Sequence, residues 1–433
     1  MESVTDEIEI ELTSAAFGGS AIGRVDGQVV FAPFALPRER VRAAITQRKA
    51  DYFQVEVREI LEANPARVAP RCPVFRVCGG CQWQHADYPL QLAMKRSVVV
   101  DQLRRIGGFA EAEDLVRDAV GMIDPWGYRN HVRFSLGRKY GDVGFTYRGT
   151  RRILRVDACD ITHPAIVEVL RTIQRRCAGL RTHQITVRYG CNTGDLLVNP
   201  ALPAVPELAT GQTSLTEELL GRRFVISSAA FFQVNTKRER RPMPSALQGA
   251  GRVDGGDGDY SMADLLAACV LARLDAQPDD VVVDAYCGVG TFAALVAPRV
   301  RLAIGIEESA AAVRDAERNT ADLGNVRFVT AKTEHALAAL ADERPSAVIL
   351  DPSRVGCAPA TVAALLGLRP RRIVYVSCDP ATLARDLRLL CDGGYMVEQV
   401  EPIDMFPQTH HIETVTALRW DPSATATSTS QAN

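Results

Sequence analysis

The spacing of hydrophobic residues changes character twice along this chain. From 7 to 60, apolar and polar positions alternate in short runs, EIEIEL, GQVVFAP, RVRAAI and YFQVEVREIL, interrupted by FGGSAIGRVDG and FALPRE. A period of two buries one face of a strand and wets the other, and frequent turns join antiparallel neighbours, so a small antiparallel barrel is predicted. Between about 65 and 226, a helical stretch near 87–107 precedes the strand patterns HVRFSLG, VGFTYRG, QITVRYG and DLLVNP, an α+β arrangement. From 262 onward, helical and strand patterns alternate: SMADLLAACVLARL, VVVDAYC, GTFAALVA, RLAIGIE, SAAAVRDAERNTADL, VRFVTA, SAVILD, PATVAALLGL, RIVYVSC, ATLARDLRLL. That alternation predicts a parallel sheet with helices on both faces. The expected domains are a barrel over 1–64, a central α+β domain over 65–226, an α/β domain over 227–420 and a disordered tail over 421–433. The stretch 238–261, with five glycines, two prolines and no periodicity, reads as a mobile loop or linker.

Composition narrows the class. A chain of 433 residues exceeds what one core organises, and 47% apolar with 24% charged residues is ordinary for a soluble protein. The N-terminus is acidic where a secretion signal would be basic and then apolar, and no apolar run reaches membrane-spanning length. Eleven cysteines without a secretion signal point to thiols, ligands or catalysts in a reducing, cytoplasmic compartment. The net charge of -2 is uninformative, but its distribution is not. Residues 125–160 carry eight Lys/Arg against three acids, interleaved with Trp126, Tyr128, Phe134, Tyr140, Phe145 and Tyr147, and residues 222–241 hold six more against one. Cations that track phosphates beside rings that stack on unpaired bases suit single-stranded RNA. A solvated sheet with a charged outer face has the same pattern.

Four strand ends carry the candidate chemistry. In VVVDAYCGVGTFAALVA a buried strand ends near Asp284, and Gly288-x-Gly290 opens a helix. The glycines, with Ala293, also satisfy a dinucleotide fingerprint. An acid at the strand end would repel a pyrophosphate, whereas it suits the amine and sulfonium of S-adenosylmethionine. Glu307, ending the next strand, is placed for ribose hydroxyls. Asp351 ends the fourth strand in DPSR, where it can hold a base or the cofactor, with Arg354 nearby for a phosphate. Cys378 ends the strand after that, in YVSCDPATLARD. An isolated cysteine is usually inert packing, but here it joins three acids at one sheet edge. A thiolate added at carbon 6 of uracil would make carbon 5 nucleophilic enough to take a methyl group, and cysteine can leave again once a base removes the carbon 5 proton. Glu413, in DMFPQTHHIETV, is the candidate base, its pKa raised by apolar surroundings; His410 and His411 are an alternative base or a zinc pair. Cys72, Cys78 and Cys81, spaced C-x5-C-x2-C, with Cys159 further on, can hold either zinc or an iron-sulfur cluster. The remaining six cysteines read as packing.

Taken together, these motifs resemble the RNA 5-methyluridine methyltransferase family over nearly the whole chain. CPVFRVCGGCQWQH is similar to the family's four-cysteine site, and DAYCGVGTF, DPSRVG, VSCDPATLARD and DMFPQTHHIE to its catalytic blocks. The resemblance implies a Rossmann-like class I methyltransferase domain, an N-terminal TRAM barrel and a central α+β domain. It implies Cys378 as nucleophile, Glu413 as base, cofactor contacts from Gln233, Tyr286, Glu307 and Asp351, and a [4Fe-4S] cluster on Cys72, Cys78, Cys81 and Cys159, with no redox step. The implied reaction is S-adenosylmethionine-dependent methylation of a uridine in RNA by a monomer. 23S ribosomal RNA is the expected substrate and the tRNA T-loop the second choice. Asp379 stands where the family commonly has asparagine, Ser353 where a cytidine-specific relative would have cysteine, and Thr291 where many members have asparagine. The rivals are an NAD-linked iron-sulfur oxidoreductase, against which Asp284 speaks, and a non-enzymatic RNA-binding protein.

Overall fold

The structure, a computed structural model, describes residues 6–241, 258–421 and 423. The N-terminal alternation forms β1 (Glu7–Ala15), β2 (Ala21–Val25), β3 (Gln28–Ala32), β4 (Arg40–Arg48) and β5 (Tyr52–Glu62), closed into a barrel in the order β1-β2-β3-β5-β4. Ile10, Leu12, Val30, Val41, Ala43 and Val55 fill its interior. Closure leaves no free sheet edge, which a short polar-faced sheet would otherwise expose.

The chain then forms α1 (Tyr88–Arg105) and α2 (Ala112–Leu115), followed by β6 (His131–Gly137), β7 (Asp142–Thr146), β8 (Ile153–Arg155), α3 (Pro164–Ile173), β9 (Gln184–Tyr189) and β10 (Leu196–Asn199). These five strands make an antiparallel sheet, β10-β9-β6-β7-β8, with α3 packed on its apolar face. A separate hairpin follows, β11 (Ser214–Leu219) with β12 (Arg222–Ser227). Two of the six interleaved aromatics, Tyr128 and Phe134, are fully buried, so they serve the core and not a nucleobase; Tyr140 and Tyr147 are exposed. The helix α1 does not cover this sheet. Asp87 caps it by accepting from the Leu90 N–H, and Met94, Val98, Val99 and Leu103 enter the core of the last sheet instead.

The C-terminal part comprises α4 (Met262–Leu274), β13 (Val281–Ala285), α5 (Thr291–Val296), β14 (Leu302–Glu307), α6 (Ala310–Asn319), β15 (Val326–Thr330), α7 (Thr333–Ala336), β16 (Ala347–Leu350), α8 (Pro359–Leu368), β17 (Arg372–Ser377), α9 (Pro380–Asp392), β18 (Tyr395–Ile403) and β19 (Glu413–Trp420). Its seven strands are ordered β15-β14-β13-β16-β17-β19-β18. Alternate residues serve opposite faces: Val282, Ile349, Val374 and Val376 pack toward α4 and α5, while Val283, Val348, Leu350 and Tyr375 pack toward α1, α8 and α9. The sheet is mixed, which corrects the all-parallel expectation. No crossover helix lies between β18 and β19, so β19 returns by the loop 404–412 and pairs antiparallel with both β17 and β18. The chain runs outward from β13 to β15 and restarts at β16, which opens a crevice at the carboxyl ends of β13 and β16, where ligands bind in such sheets.

The expected mobile stretch 238–261 is anchored where it is described. Glu239 and Tyr260 bond each other's backbone in both directions, and the Glu239 carboxylate accepts from the N–H groups of Ile123 and Asp124. Residues 242–257 lie outside the described residues, as do 422 and 424–433 of the expected tail.

Candidate active site

Two of the acids at the sheet edge, Asp284 and Glu307, are held by backbone N–H groups and not by a cation. Asp284, on the fully buried β13, accepts from the Ala293 N–H in α5 at 2.8 Å, and its second oxygen is buried without a partner. Burial first, then the charges of Asp351 and Glu307, push its carboxyl up to about 8. Glu307, ending β14, accepts from the N–H of Gly288 at 3.1 Å and of Ser309 at 2.8 Å. Gly288 has φ +54 and a Cβ there would meet only open space, while Gly290, φ +79, is pressed against Ala316 and Phe328. Thus one glycine faces the crevice and the other lets α5 approach α6 and β15. Tyr286 also has positive φ, and its hydroxyl lies 3.4 Å from Thr361 Oγ1 on α8. Burial pushes Asp351, just past β16, up to about 7.

The register of β17 with β19 pairs Ser377 with Thr414, so Cys378 and Glu413 sit side by side at adjacent strand ends. Glu413 is buried, and its carboxyl is pushed up to about 8 by burial and then Asp351, against the opposing pull of Arg354 and Lys95. The Cys378 thiol is half-buried and pushed up to about 12 by burial, with Glu413, Asp351 and Asp379 adding repulsion and Arg354 opposing it. Without ligands the site holds this sulfur as a thiol, chiefly because it is withdrawn from water, with the neighbouring carboxyl groups adding to the effect. Asp379 caps α9 by accepting from the N–H groups of Ala381 and Thr382, which accounts for an acid directly after the cysteine. His410 and His411 are driven down to about 4 and about 3, chiefly by burial, so as bases they are much weaker than Glu413.

A cavity of about 740 Å³ is linked to this edge through Arg354, while Asp284, Glu307, Asp351, Cys378 and Glu413 are not among the residues that line it. Cys72, Cys78, Cys81 and Cys159 are among its lining residues, as are Arg129, Arg133, Phe231, Gln233, Arg354 and Phe406. Gln233 thus sits on the cavity wall in the loop after β12, with Arg354 marking the side nearest Cys378. The Cys81 thiol is pushed up to about 12, chiefly by burial, with Cys159, Cys78 and Cys72 adding repulsion. Among the described residues, no three His, Cys, Asp or Glu side chains converge tightly enough for a single metal ion. Sequence patterns missed the loop 404–412 as a structural unit and missed Lys95, a fully buried lysine bonded to it. Only its place on an apolar helix face, one position after Met94, signalled burial.

Comparison with known proteins decides the family. A family model described as tRNA (Uracil-5-)-methyltransferase matches residues 263–420. An uncharacterized RNA methyltransferase of Halalkalibacterium halodurans is 32% identical, the match covering 95% of this chain and 97% of its own. The chain belongs to the RNA uracil-5 methyltransferase family. Another member, an uncharacterized RNA methyltransferase of Gloeobacter violaceus, is 33% identical over 95% of this chain and 96% of its own. In fold, the chain is similar to the Pyrococcus abyssi tRNA (uracil-54, C5)-methyltransferase solved in complex with S-adenosyl-L-homocysteine. The TM-score is 0.68 at 21% identity, covering 95% of this chain and all of that one. The architecture is that of a class I methyltransferase with an N-terminal barrel. Among the described residues no helix is long and apolar enough to cross a membrane.

Proposed function

We propose that this RNA uracil-5 methyltransferase works through a covalent adduct between Cys378 and the substrate uridine, with Glu413 as the base that ends the cycle. The observation that carries this is the β17–β19 register, which sets a thiol beside a buried carboxyl at the ligand-binding edge of the sheet. Asp284, with an unpaired buried oxygen, and Glu307 and Asp351 form an acidic cradle that fits a cationic cofactor. When bound there, S-adenosylmethionine supplies an electrophilic methyl group and a positive charge. Gln233 and Tyr286 complete the proposed cofactor contacts.

Cys378 acts twice. The thiol first loses its proton to solvent; the thiolate sulfur then bonds to carbon 6 of the ring while the ring's π electrons move to the carbon 4 oxygen, and carbon 5 of that enolate accepts the methyl group. Glu413 then takes the carbon 5 proton, the enolate re-forms, and the carbon 6–sulfur bond breaks with its electron pair on sulfur. A base poised near 8 is matched to this step at neutral pH. A cation beside Asp351 would remove one of the charges that hold the thiol protonated.

Cys72, Cys78, Cys81 and Cys159 would hold a [4Fe-4S] cluster that ties the 72–81 loop to the turn after β8. A single zinc ion at about 2.3 Å from each sulfur needs thiols about 3.8 Å apart, and among the described residues no three such ligands converge on one metal ion, so the reading follows the larger cluster that the family resemblance implies. Bound iron would compensate the mutual repulsion of four thiolates. The substrate uridine is assigned to 23S ribosomal RNA on the resemblance of the barrel and the four-cysteine set, with the base extruded to the sheet edge beside Cys378. Labelled methyl transfer from S-adenosylmethionine to ribosomal and tRNA transcripts tests this assignment: 5-methyluridine in the ribosomal fragment alone is expected. Labelling of tRNA alone would move the substrate to the T-loop. Anaerobic purification should yield about four irons and four sulfides per chain; zinc in their place would overturn the cluster.

A further inference from the structure

The loop 404–412, which delivers Glu413 to the site, makes a few local hydrogen bonds and is gripped by side chains and backbone from elsewhere in the chain. Asn235 donates to the Met405 carbonyl, Tyr128 to that of Pro407, and the N–H groups of Gln82 and Trp83 to that of Gln408. Two residues of α1 one turn apart complete the grip. Gln91 exchanges hydrogen bonds with Gln408, accepting from its N–H at 2.9 Å and donating to its side-chain oxygen at 3.0 Å. Lys95 reaches three acceptors: Asp404 Oδ1 at 2.5 Å, the Phe406 carbonyl at 3.1 Å and the His411 carbonyl at 2.6 Å.

That coordination defines the state of Lys95. An ammonium has three N–H donors and no acceptor, and here it finds one carboxylate and two carbonyls. A neutral amine would turn its lone pair on one of them. The residue and its partner Asp404 are both fully buried, and Tyr88 donates to the other Asp404 oxygen at 3.0 Å. A buried ion pair is poor value for stability, since packed apolar side chains of similar volume do as well or better. Its position is informative. Lys95 bonds both ends of the loop, Asp404 and Phe406 at its start and His411 at its close, and the loop leads directly into Glu413.

We propose that Lys95 is a positioning residue for the elimination step: it clamps the 406–411 backbone that aims Glu413 and presents a positive charge to that carboxyl. This rests on Glu413 being the base. The groups facing Glu413 are Asp351 beyond β16, Cys378 beyond β17, Arg354 and Lys95, with His410 and His411 in its own loop. Asp351 favours the protonated carboxyl, and Arg354 and Lys95 favour the carboxylate. Removing the Lys95 charge therefore makes Glu413 harder to ionise, and the elimination step requires its ionised form.

The test uses the full-length enzyme, S-adenosylmethionine and whichever transcript the wild type methylates, at single turnover between pH 6 and 9.5. Adduct is read on denaturing gels and free methylated RNA separately. Lys95→Met should leave adduct formation within about threefold, slow release at least tenfold, and move the acid limb of release upward by about half a pH unit or more. The double variant Lys95→Met/Asp404→Asn removes both buried charges, so it keeps the test open if the single variant does not fold. It should show the same slow release. Release at the wild-type rate with an unmoved limb, in a variant that melts with the wild type, would overturn the proposal, as would an equal slowing of adduct formation and release. Glu413→Gln is run alongside: if it accumulates adduct and the Lys95 variants do not, the proposal alone fails, and if it does not, the assignment of the base fails first.

Discussion

The barrel and the sheet edge use the same acids and arginines in opposite ways. On the barrel, Arg40 pairs with Glu9 and Glu62, Arg42 with Glu9 and Glu59, and Arg48 with Asp6, all at exposed positions. Such pairs are screened by water and contribute little. At the sheet edge, Asp284, Asp351 and Glu413 make no salt bridge among the described residues, and their carboxyls are raised to between about 7 and 8. Unpaired acids in one crevice disfavour the folded chain at neutral pH, so their persistence there marks a site built for something absent. The central sheet lies between these extremes. Arg148 rests over Phe34, Arg152 over Tyr147 and Lys139 over Tyr140, exposed cations on aromatic rings instead of acids, and that leaves their charge free for phosphates.

Perturbing each region should expose the difference. Cys378→Ala removes the atom that bonds to the ring, and methylation should fall at least about a thousandfold with little change in melting; a loss under tenfold would place the chemistry elsewhere. Glu413→Gln should lower turnover about a hundredfold or more while covalent RNA accumulates, measured on denaturing gels. Asp284→Asn replaces a carboxyl that is largely protonated at neutral pH without ligand, so the fold should tolerate it while affinity for S-adenosylmethionine drops about tenfold, by calorimetry.

The pH dependence of stability sharpens the same point. Asp284, Asp351 and Glu413 hold protons up to about 8, 7 and 8 in the folded protein, against ordinary values of 3.8, 3.8 and 4.5. The folded state therefore binds more protons than the unfolded chain between about pH 4 and 8, and these groups make ligand-free stability fall as pH rises through that window. Thermal melts should show the decline lessened in Asp284→Asn. Smaller effects follow outside the edge. Arg148→Ala should raise KM for RNA severalfold and reduce the salt slope by about one, leaving kcat alone, whereas Arg42→Ala on the barrel should change neither melting nor turnover measurably.

Much of this was legible from residue order because it depends on local pattern. Alternation along EIEIEL and YFQVEVREIL was enough for the barrel, and apolar strands ending in Asp284, Glu307, Asp351 and Cys378 placed those groups at one edge before any coordinates. What depended on distant partners was not legible. The antiparallel insertion of β19 follows from a missing crossover, and the burial of Tyr128 and Phe134 from packing against elements far along the chain. The raised Cys378 thiol follows first from its burial and then from Glu413 and Asp351, which separate strand ends bring beside it. The acids flanking the cysteine were visible in the sequence, but their combined field was not.

The most direct measurement is a trap for the adduct itself. RNA carrying 5-fluorouridine at the methylated position is incubated with enzyme and labelled methyl donor, and the covalent complex is digested and mapped by mass spectrometry. Fluorine at carbon 5 cannot be removed as a proton, so elimination stops and the methylated ring should remain attached to the peptide containing Cys378. Quantitative methylation with no protein-linked RNA, or attachment at any other residue, would contradict the account.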